Sequence, residues 1–100
     1  MIRCTTPTHE FIIPLDADVI ADVWVTYKQG KKIVLEKKKS EMLNTENLWS
    51  YKLTQEETKA FEGDKFVCIQ VKVLTTDGDV FASDKFYKNV EDVLNDEVMA

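Results

Sequence analysis

The sequence predicts a mostly β protein whose strands form an immunoglobulin-like antiparallel β-sandwich of six or seven strands. Three observations predict this class. Short segments rich in Val, Ile and aromatic residues alternate apolar with polar side chains, as half-buried strands do. Turn-forming residues separate these segments at short intervals. One stretch alone, near residues 54–61, changes to a helical pattern and predicts a single short helix.

Length and composition predict a single β-sandwich domain over residues 1–100. One hundred residues are enough for one hydrophobic core, and 44% hydrophobic with 31% charged residues is typical of a globular chain. No apolar run approaches the roughly 20 residues that a membrane helix requires. The N-terminal residues also lack a stretch of signal-peptide length. We therefore expect a protein that folds in a cytosol and does not act on a membrane.

The net charge of −5 argues against binding to nucleic acids or anionic lipid. The basic residues cluster once, where Lys31, Lys32 and residues 37–39 flank the apolar residues 33–35. Neither Arg nor interleaved aromatic residues accompany them, although nucleic-acid-binding surfaces commonly use both. We interpret these lysines as strand ends and as the protection of a sheet edge.

The strands are predicted in chain order from the alternation and the turn residues. They cover residues 8–13, 19–27, 32–37, 48–53, 65–75 and 80–87. Residues 38–47 are polar and irregular, which predicts a surface loop with at most a short extended piece. The acidic segment 89–100 fits a last strand, a helical turn or a frayed tail.

The helix is predicted from its N-terminal cap. Thr54 is followed three residues later by Glu57, which is the spacing of a capping box. Glu56 and Glu57 also complement the positive end of the helix dipole. The pattern extends for about two turns to Phe61, and Gly63 ends it.

The most strongly β segment is followed by the strongest turn signal in the chain, Asp77-Gly78. A two-residue turn would place Leu74 opposite Phe81. The same register would place Val71 opposite Asp84, which conflicts with burial of that face. A longer or bulged loop is therefore the alternative.

No arrangement of residues predicts catalysis, a cofactor or a metal site. His9 is the only histidine and is expected at an exposed or edge-strand position. Cys4 and Cys68 lack metal-site spacing and are expected to be reduced. The acidic groups at residues 16–22 and 77–79 are typical of turns and lack the pattern of a calcium loop. We therefore predict no catalytic residues, no cofactor and no metal, and a protein that is not an enzyme.

The candidate functional surface is apolar. If the valine-rich side of residues 65–75 faces the core, then Phe66, Leu74 and Phe81 lie on the opposite face, where Trp24 joins them. The simpler expectation is that the helix or the N-terminal arm covers that face. If it is uncovered, these four residues are a candidate interface for another protein.

The whole chain shows a resemblance to a known group of proteins. Its motifs are the opening Met-Ile-Arg-Cys-Thr-Thr-Pro-Thr-His-Glu-Phe, residues 53–58, residues 69–73, residues 76–78 and residues 82–84. These resemble small proteins encoded in phage and prophage structural modules of Gram-positive bacteria. The chain is also similar to the N-terminal β-sandwich domains of phage baseplate upper proteins.

The resemblance implies an immunoglobulin-like sandwich and a tail- or baseplate-associated structural or assembly role. The expected partners are other phage structural proteins, and a homo-oligomer is an open alternative. The expected location is the host bacterial cytoplasm during assembly, with the virion as a further location. From the residues alone, the surplus of aromatic side chains supports a second hypothesis, a carbohydrate- or peptide-binding β-sandwich module.

Overall fold

A computed structural model describes residues 1–99 and contains eight strands and one short α-helix. The strands are β1 Thr8–Ile12, β2 Ile20–Gln29, β3 Lys32–Lys38, β4 Leu43–Thr45, β5 Leu48–Lys52, β6 Lys65–Thr75, β7 Val80–Ala82 and β8 Phe86–Val90. The helix, α1, is Gln55–Lys59. The predicted mostly β class is confirmed, with eight strands instead of six or seven.

The strands form two antiparallel sheets. The three-stranded sheet has the order β1-β5-β4, and the five-stranded sheet has the order β3-β2-β6, with β7 and β8 both paired to the far side of β6. These orders match strands B-E-D and C′-C-F-G of an immunoglobulin sandwich. Within residues 1–99, no strand corresponding to strand A lies beside β1. Instead, Ile2 forms a parallel bridge with Glu91, just beyond the end of β8.

The core lies between the two sheets, because each strand turns one apolar row toward the other sheet. The inward row of β6 consists of Val67, Ile69, Val71 and Val73, as the alternation predicted. From β2, the inward side chains are Val23, Val25 and Tyr27, and β5 contributes Trp49 and Tyr51. Burial of this apolar surface is the main favourable contribution to folding.

Helix α1 connects the two sheets and begins with the predicted capping box. The Glu57 amide donates to Thr54 Oγ1 at 3.1 Å, and the Thr54 amide donates to Glu57 Oε1 at 2.9 Å. Two amides that have no partner within the helix are thereby satisfied. The helix is shorter than the predicted 54–61, since it ends at Lys59, and Phe61 follows it into the core. In residues 1–99, no helix is long and apolar enough to cross a membrane.

The hairpin between β6 and β7 differs from the predicted two-residue turn. Leu74 pairs with Val80 and Val73 with Phe81, one residue away from the two-residue register. The loop consists of residues 76–78, because the Thr75 amide is bonded to the Asp79 carbonyl. Its third residue, Gly78, has a positive φ of 88°, as is common in such loops. The alternative of a longer loop was therefore correct, and the pairing of Leu74 with Phe81 was wrong.

The predicted strand at residues 80–87 is divided into β7 and β8. Residues 83–85 contain one more residue than the facing stretch of β6, so the register shifts between β7 and β8. Ser83 remains bound to β6 because its amide donates to the Val71 carbonyl at 2.8 Å. Strand β4 is the other additional strand, and it lies in the segment predicted as a loop. Residues 92–99 form no helix or strand.

The two ends of the described chain are joined. Arg3 Nη1 contacts Asp92 Oδ1 at 2.6 Å, and Arg3 Nη2 donates to the Lys59 carbonyl at 2.9 Å. This contact lowers the pKa of Asp92 below its ordinary value. Gly63 lies directly under Asp92, so that a Cβ at position 63 would approach Asp92 Cβ to 2.7 Å. The absence of a side chain at Gly63 therefore lets the end of the chain pack against the loop after α1.

Candidate functional site

The outer face of the five-stranded sheet is the side turned away from the three-stranded sheet, and it carries a row of large apolar side chains. Its apolar members are Trp24, Ile33, Phe66, Leu74, Val80 and Tyr87. They share this face because inward and outward side chains alternate along each strand, and because residues paired across strands lie on the same side. Cys68, for example, is paired with Tyr87, and Leu74 with Val80.

The outer face is uncovered. The exposed fraction is 68% for Phe66 and 66% for Tyr87, and it is 39% for both Trp24 and Leu74. The simpler expectation, that the helix or the N-terminal arm covers this face, was wrong. Helix α1 packs its buried Thr58 under the arm at Thr5, and the arm itself runs beside the end of β8.

Trp24 has three polar neighbours on the outer face. Its Nε1 donates to Asp22 Oδ2 at 2.8 Å. The Nζ atoms of Lys38 and Lys72 lie 5.3 Å and 6.0 Å from the centroid of a Trp24 ring. Cation–π attraction of this kind contributes about 0.5–1 kcal/mol at exposed sites. The indole is therefore oriented in advance, which reduces the entropy lost when a partner packs on it.

The charges on the outer face are mostly positive, in contrast to the whole chain. Four lysines surround the apolar row, with only two carboxylates among them: Lys28, Lys38, Lys72, Lys85, Asp22 and Glu36. None of these four lysines belongs to an ion pair within residues 1–99. The face therefore has a local excess of two positive charges on a chain of net charge −5.

A hollow lies next to Trp24 on this face. It has a volume of about 140 Å³ and is lined by Asp22, Trp24, Lys72, Leu74 and Val80. Its size is comparable to that of the ~150 Å³ apolar cavities that accept one benzene-sized group. One apolar side chain of a partner can therefore enter it, with the Lys72 ammonium at its rim.

Phe81 does not lie on the outer face, contrary to the prediction. Its pairing with Val73 turns it toward the interior, because a one-residue change of register moves a side chain to the opposite side of the sheet. There it lines an apolar groove of about 410 Å³ between the end of β1 and β7, together with Phe11 and Phe86. The sequence thus placed Phe66, Leu74 and Trp24 on one surface correctly and assigned Phe81 to the wrong one.

Inside the sandwich, three side chains from three different strands form a hydrogen-bonded chain. The hydroxyls of Tyr27 and Tyr51 are hydrogen-bonded to each other, and the Tyr27 hydroxyl also contacts His9 Nδ1. Burial lowers the pKa of His9, and the positive charges of Lys88 and the N-terminus act in the same direction. His9 Nδ1 and the hydroxyls of Tyr27 and Tyr51 therefore form one continuous series of hydrogen bonds, in which the tautomer of the neutral His9 ring sets which group donates.

An ion pair lies beside these three hydrogen-bonded side chains. Lys37 Nζ is 2.5 Å from Glu57 Oε2 and 6.0 Å from the centroid of the Tyr51 ring. Burial alone would raise the pKa of Glu57, but hydrogen bonds from Lys37 and Thr54 hold it below its ordinary value. Burial also raises the pKa of Tyr51, and the Glu57 carboxylate adds to that shift. Lys37 and Glu57 thus fasten β3 to the first turn of α1.

Sequence reasoning missed this cluster because its members are distant in the chain and come together only through the two sheets. His9 does lie on an edge strand, as predicted, but its partner is Tyr27 and not the Asp16 or Asp84 side chain that an acid–base pair would need. Among residues 1–99, no three His, Cys, Asp or Glu side chains lie close enough together to hold a metal ion.

Sequence reasoning also missed Ile33, Val80 and Tyr87 on the outer face. Their position on this face could be inferred in principle, because each is paired with an outward residue of a neighbouring strand. That inference required the correct strand registers, which the sequence did not supply.

No family model matches the chain, no curated protein matches it, and no solved structure matches it.

Proposed function

We propose that this chain is a non-enzymatic structural or assembly protein of a phage or prophage particle, and that it acts through protein–protein contacts in the tail or baseplate. The observation that carries the contact mechanism is the uncovered outer face around Trp24, Phe66 and Tyr87. Exposed apolar patches with aromatic members are typical of protein–protein contact surfaces. The resemblance of the sequence to phage structural-module proteins supports the particle as the setting.

The lysines favour an organised partner surface over non-specific aggregation. They alternate with the apolar side chains and keep a flat sheet face soluble while it is unoccupied. Contact with a complementary protein would remove Phe66 and Tyr87 from water and would leave the lysines at the rim. Under this proposal the partners are other phage structural proteins. The chain would then act in the host bacterial cytoplasm during assembly and would pass into the virion if its contact persists.

Incorporation into particles tests this proposal. Particles and assembly intermediates are purified after prophage induction, and the protein is quantified by mass spectrometry. We expect it to be present, and its absence from both fractions would overturn the proposal. A variant with Trp24→Asp and Phe66→Asp should be incorporated poorly. The control, Leu43→Asp, alters a residue that is 74% exposed on β4, away from the outer face, and it should be incorporated normally.

A second candidate function is a carbohydrate- or peptide-binding module, and the specific observation that favours it is the presentation of Trp24. A partly exposed indole on a sheet face is a suitable platform for stacking a sugar ring. Trp49 cannot contribute, because only 2% of it is exposed. Titration with oligosaccharides should then change the fluorescence of the native chain but not that of the Trp24→Phe variant. No change in either chain would contradict this candidate.

A further inference from the structure

We propose that the outer face of one copy binds the C-terminal segment 93–99 of a second copy, so that the protein associates head to tail. This inference rests on the proposed function, since it names one partner of the same surface. It is argued from opposite charges and from matching apolar groups on two separate surfaces of a single chain.

The segment 93–99 has an unusual combination of side chains. Two pairs of apolar residues flank three polar ones: Val93, Leu94, Asn95, Asp96, Glu97, Val98 and Met99. Leu94 is fully exposed, and Met99 is 81% exposed. Burying such side chains against a partner is favourable, because it removes apolar surface from water.

The charge of this segment complements that of the outer face. Asp96 and Glu97 give it two negative charges and it has no basic residue, while the outer face has an excess of two positive charges. Neither acidic side chain belongs to an ion pair within residues 1–99. Opposite charges that are free on both surfaces favour their encounter and fix its register.

The segment cannot occupy the outer face of its own molecule in this fold. It is held near the other sheet, where the Gln55 side chain makes two hydrogen bonds of 2.9 Å to the backbone of Met99. Cys4 Sγ also lies within 3.6 Å of the carbonyls of Asp96 and Glu97. The partner of the segment is therefore a different copy.

The hollow beside Trp24 offers a place for one apolar side chain of the segment. Leu94 projects fully from the surface, and the hollow of about 140 Å³ has an apolar wall formed by Trp24 and Leu74. With Leu94 in this hollow, the two acids that follow it are close to Lys72 and its neighbouring lysines. Two outer faces packed on each other would instead bring lysines against lysines, which disfavours a symmetric contact.

The contact joins two different surfaces, so a pair of copies keeps one free outer face and one free segment 93–99. Such head-to-tail contacts build rings if the rotation closes and open filaments if it does not. The mass in solution should therefore rise with protein concentration and pass beyond the dimer. A contact that pairs a face with itself would stop at the dimer.

The first test is sedimentation velocity of the full chain over a range of concentrations, with charge reversals. Lys72→Glu with Lys85→Glu should weaken association about tenfold, as should Asp96→Lys with Glu97→Lys. Placing all four changes in one chain should restore association, because the charges are again opposite. Circular dichroism and thermal melting establish that each variant is folded.

Three results would overturn the proposal. One is a chain that is monomeric at all concentrations, which leaves the proposed function intact because other phage proteins could still bind the outer face. The second is a failure of the four-residue variant to recover while it remains folded. The third is association that survives both reversals but is lost with Phe81→Asp, which would place the contact in the apolar groove.

A cross-linking experiment locates the contact directly. Leu74 lines the hollow, so a thiol at position 74 marks the proposed contact. In a Cys4→Ser, Cys68→Ser background, Leu74→Cys with Leu94→Cys should give disulfide-linked species of more than two chains under mild oxidation. Leu43→Cys with Leu94→Cys in the same background is the control, because Leu43 is 74% exposed on β4 of the other sheet, and it should give few such species. Equal amounts of these species in the two variants would show that segment 93–99 does not meet this face.

Discussion

Side chains alternate along strand β6 between two faces, one of which is buried and the other exposed. Its inward residues Val67, Ile69 and Val71 are at most 7% exposed, while its outward neighbours Phe66 and Leu74 are 68% and 39% exposed. Both rows contain large apolar side chains, but Gln70 and Lys72 interrupt the outward row. The second sheet, through β1 and β5, covers only the uninterrupted row.

The difference shows how one sheet can serve both stability and recognition. The inner face gains its stability from the core, where a buried polar group without a partner is costly, and Trp49 Nε1 is one such group. The outer face interrupts its apolar row with lysines, which keep it in solution until it is occupied. The following predictions separate the two faces by the size of the effect that a change has on unfolding.

The largest effect is expected from a cavity on the inner side. Ile69→Ala removes a side chain that is 1% exposed and should lower the free energy of unfolding by about 2–5 kcal/mol. Phe66→Ala on the outer side is the matched control and should change it by less than about 0.5 kcal/mol. Urea unfolding measures both. Equal losses in the two variants would mean that the outer face is covered in solution.

A smaller loss is expected when the buried hydroxyl chain is broken. Tyr27→Phe leaves His9 Nδ1 and the Tyr51 hydroxyl without their shared partner, which should cost about 1–3 kcal/mol. Tyr87→Phe removes a hydroxyl from the outer face, where water replaces it, and should be nearly neutral. If Tyr27→Phe were neutral as well, the hydrogen bonds among His9, Tyr27 and Tyr51 would not contribute to stability.

Acid should weaken the inner side through the same cluster. The pKa of His9 is lowered from its ordinary value of 6.5 in the folded chain, so the unfolded chain takes up a proton at higher pH. Stability is therefore complete above about pH 6.5 and falls as the pH drops below it, by at most about 1.4 kcal/mol per pH unit. His9→Gln should remove the pH dependence in this window, and an unchanged profile would contradict the assignment to His9.

The smallest effect is expected on the outer side. Lys38→Gln removes the nearer cation from the Trp24 ring, which should cost about 0.5 kcal/mol and free the indole to move. The fluorescence anisotropy of the Trp49→Phe variant, which retains Trp24 alone, should fall when Lys38→Gln is added. Lys65→Gln, a change on β6 distant from Trp24, is the control and should leave it constant.

Much of the inner face could be predicted because alternation is a local property of the chain. The valine-rich row of β6 faces the core as predicted, and the capping box at Thr54 also forms as predicted. The position of Phe81 was not predicted correctly, because it depends on one residue of loop length after β6. Strand β4, three residues long, lies in the segment predicted as a surface loop with at most a short extended piece, and the polar, irregular sequence there gave no alternation to locate it.

The candidate site was predictable in part for the same reason. Trp24, Phe66 and Leu74 share a face whenever their strands pair in register, and local alternation suggests this. The lysines around them and the hollow beside Trp24 depend on which strands are neighbours. The chain His9–Tyr27–Tyr51 depends further on how the two sheets face each other, and no local pattern encodes that packing.

The link between Arg3 and Asp92 has a consequence for how the protein is made. The two residues are 89 positions apart, and the arm at Ile2 has its backbone partner only once Glu91 has been synthesised. Contacts between residues so distant in sequence slow folding, because a long loop must close before the contact forms. On the ribosome, the arm at Ile2 must therefore wait for the residues that follow β8, and the inward rows remain exposed to chaperones until the later strands emerge.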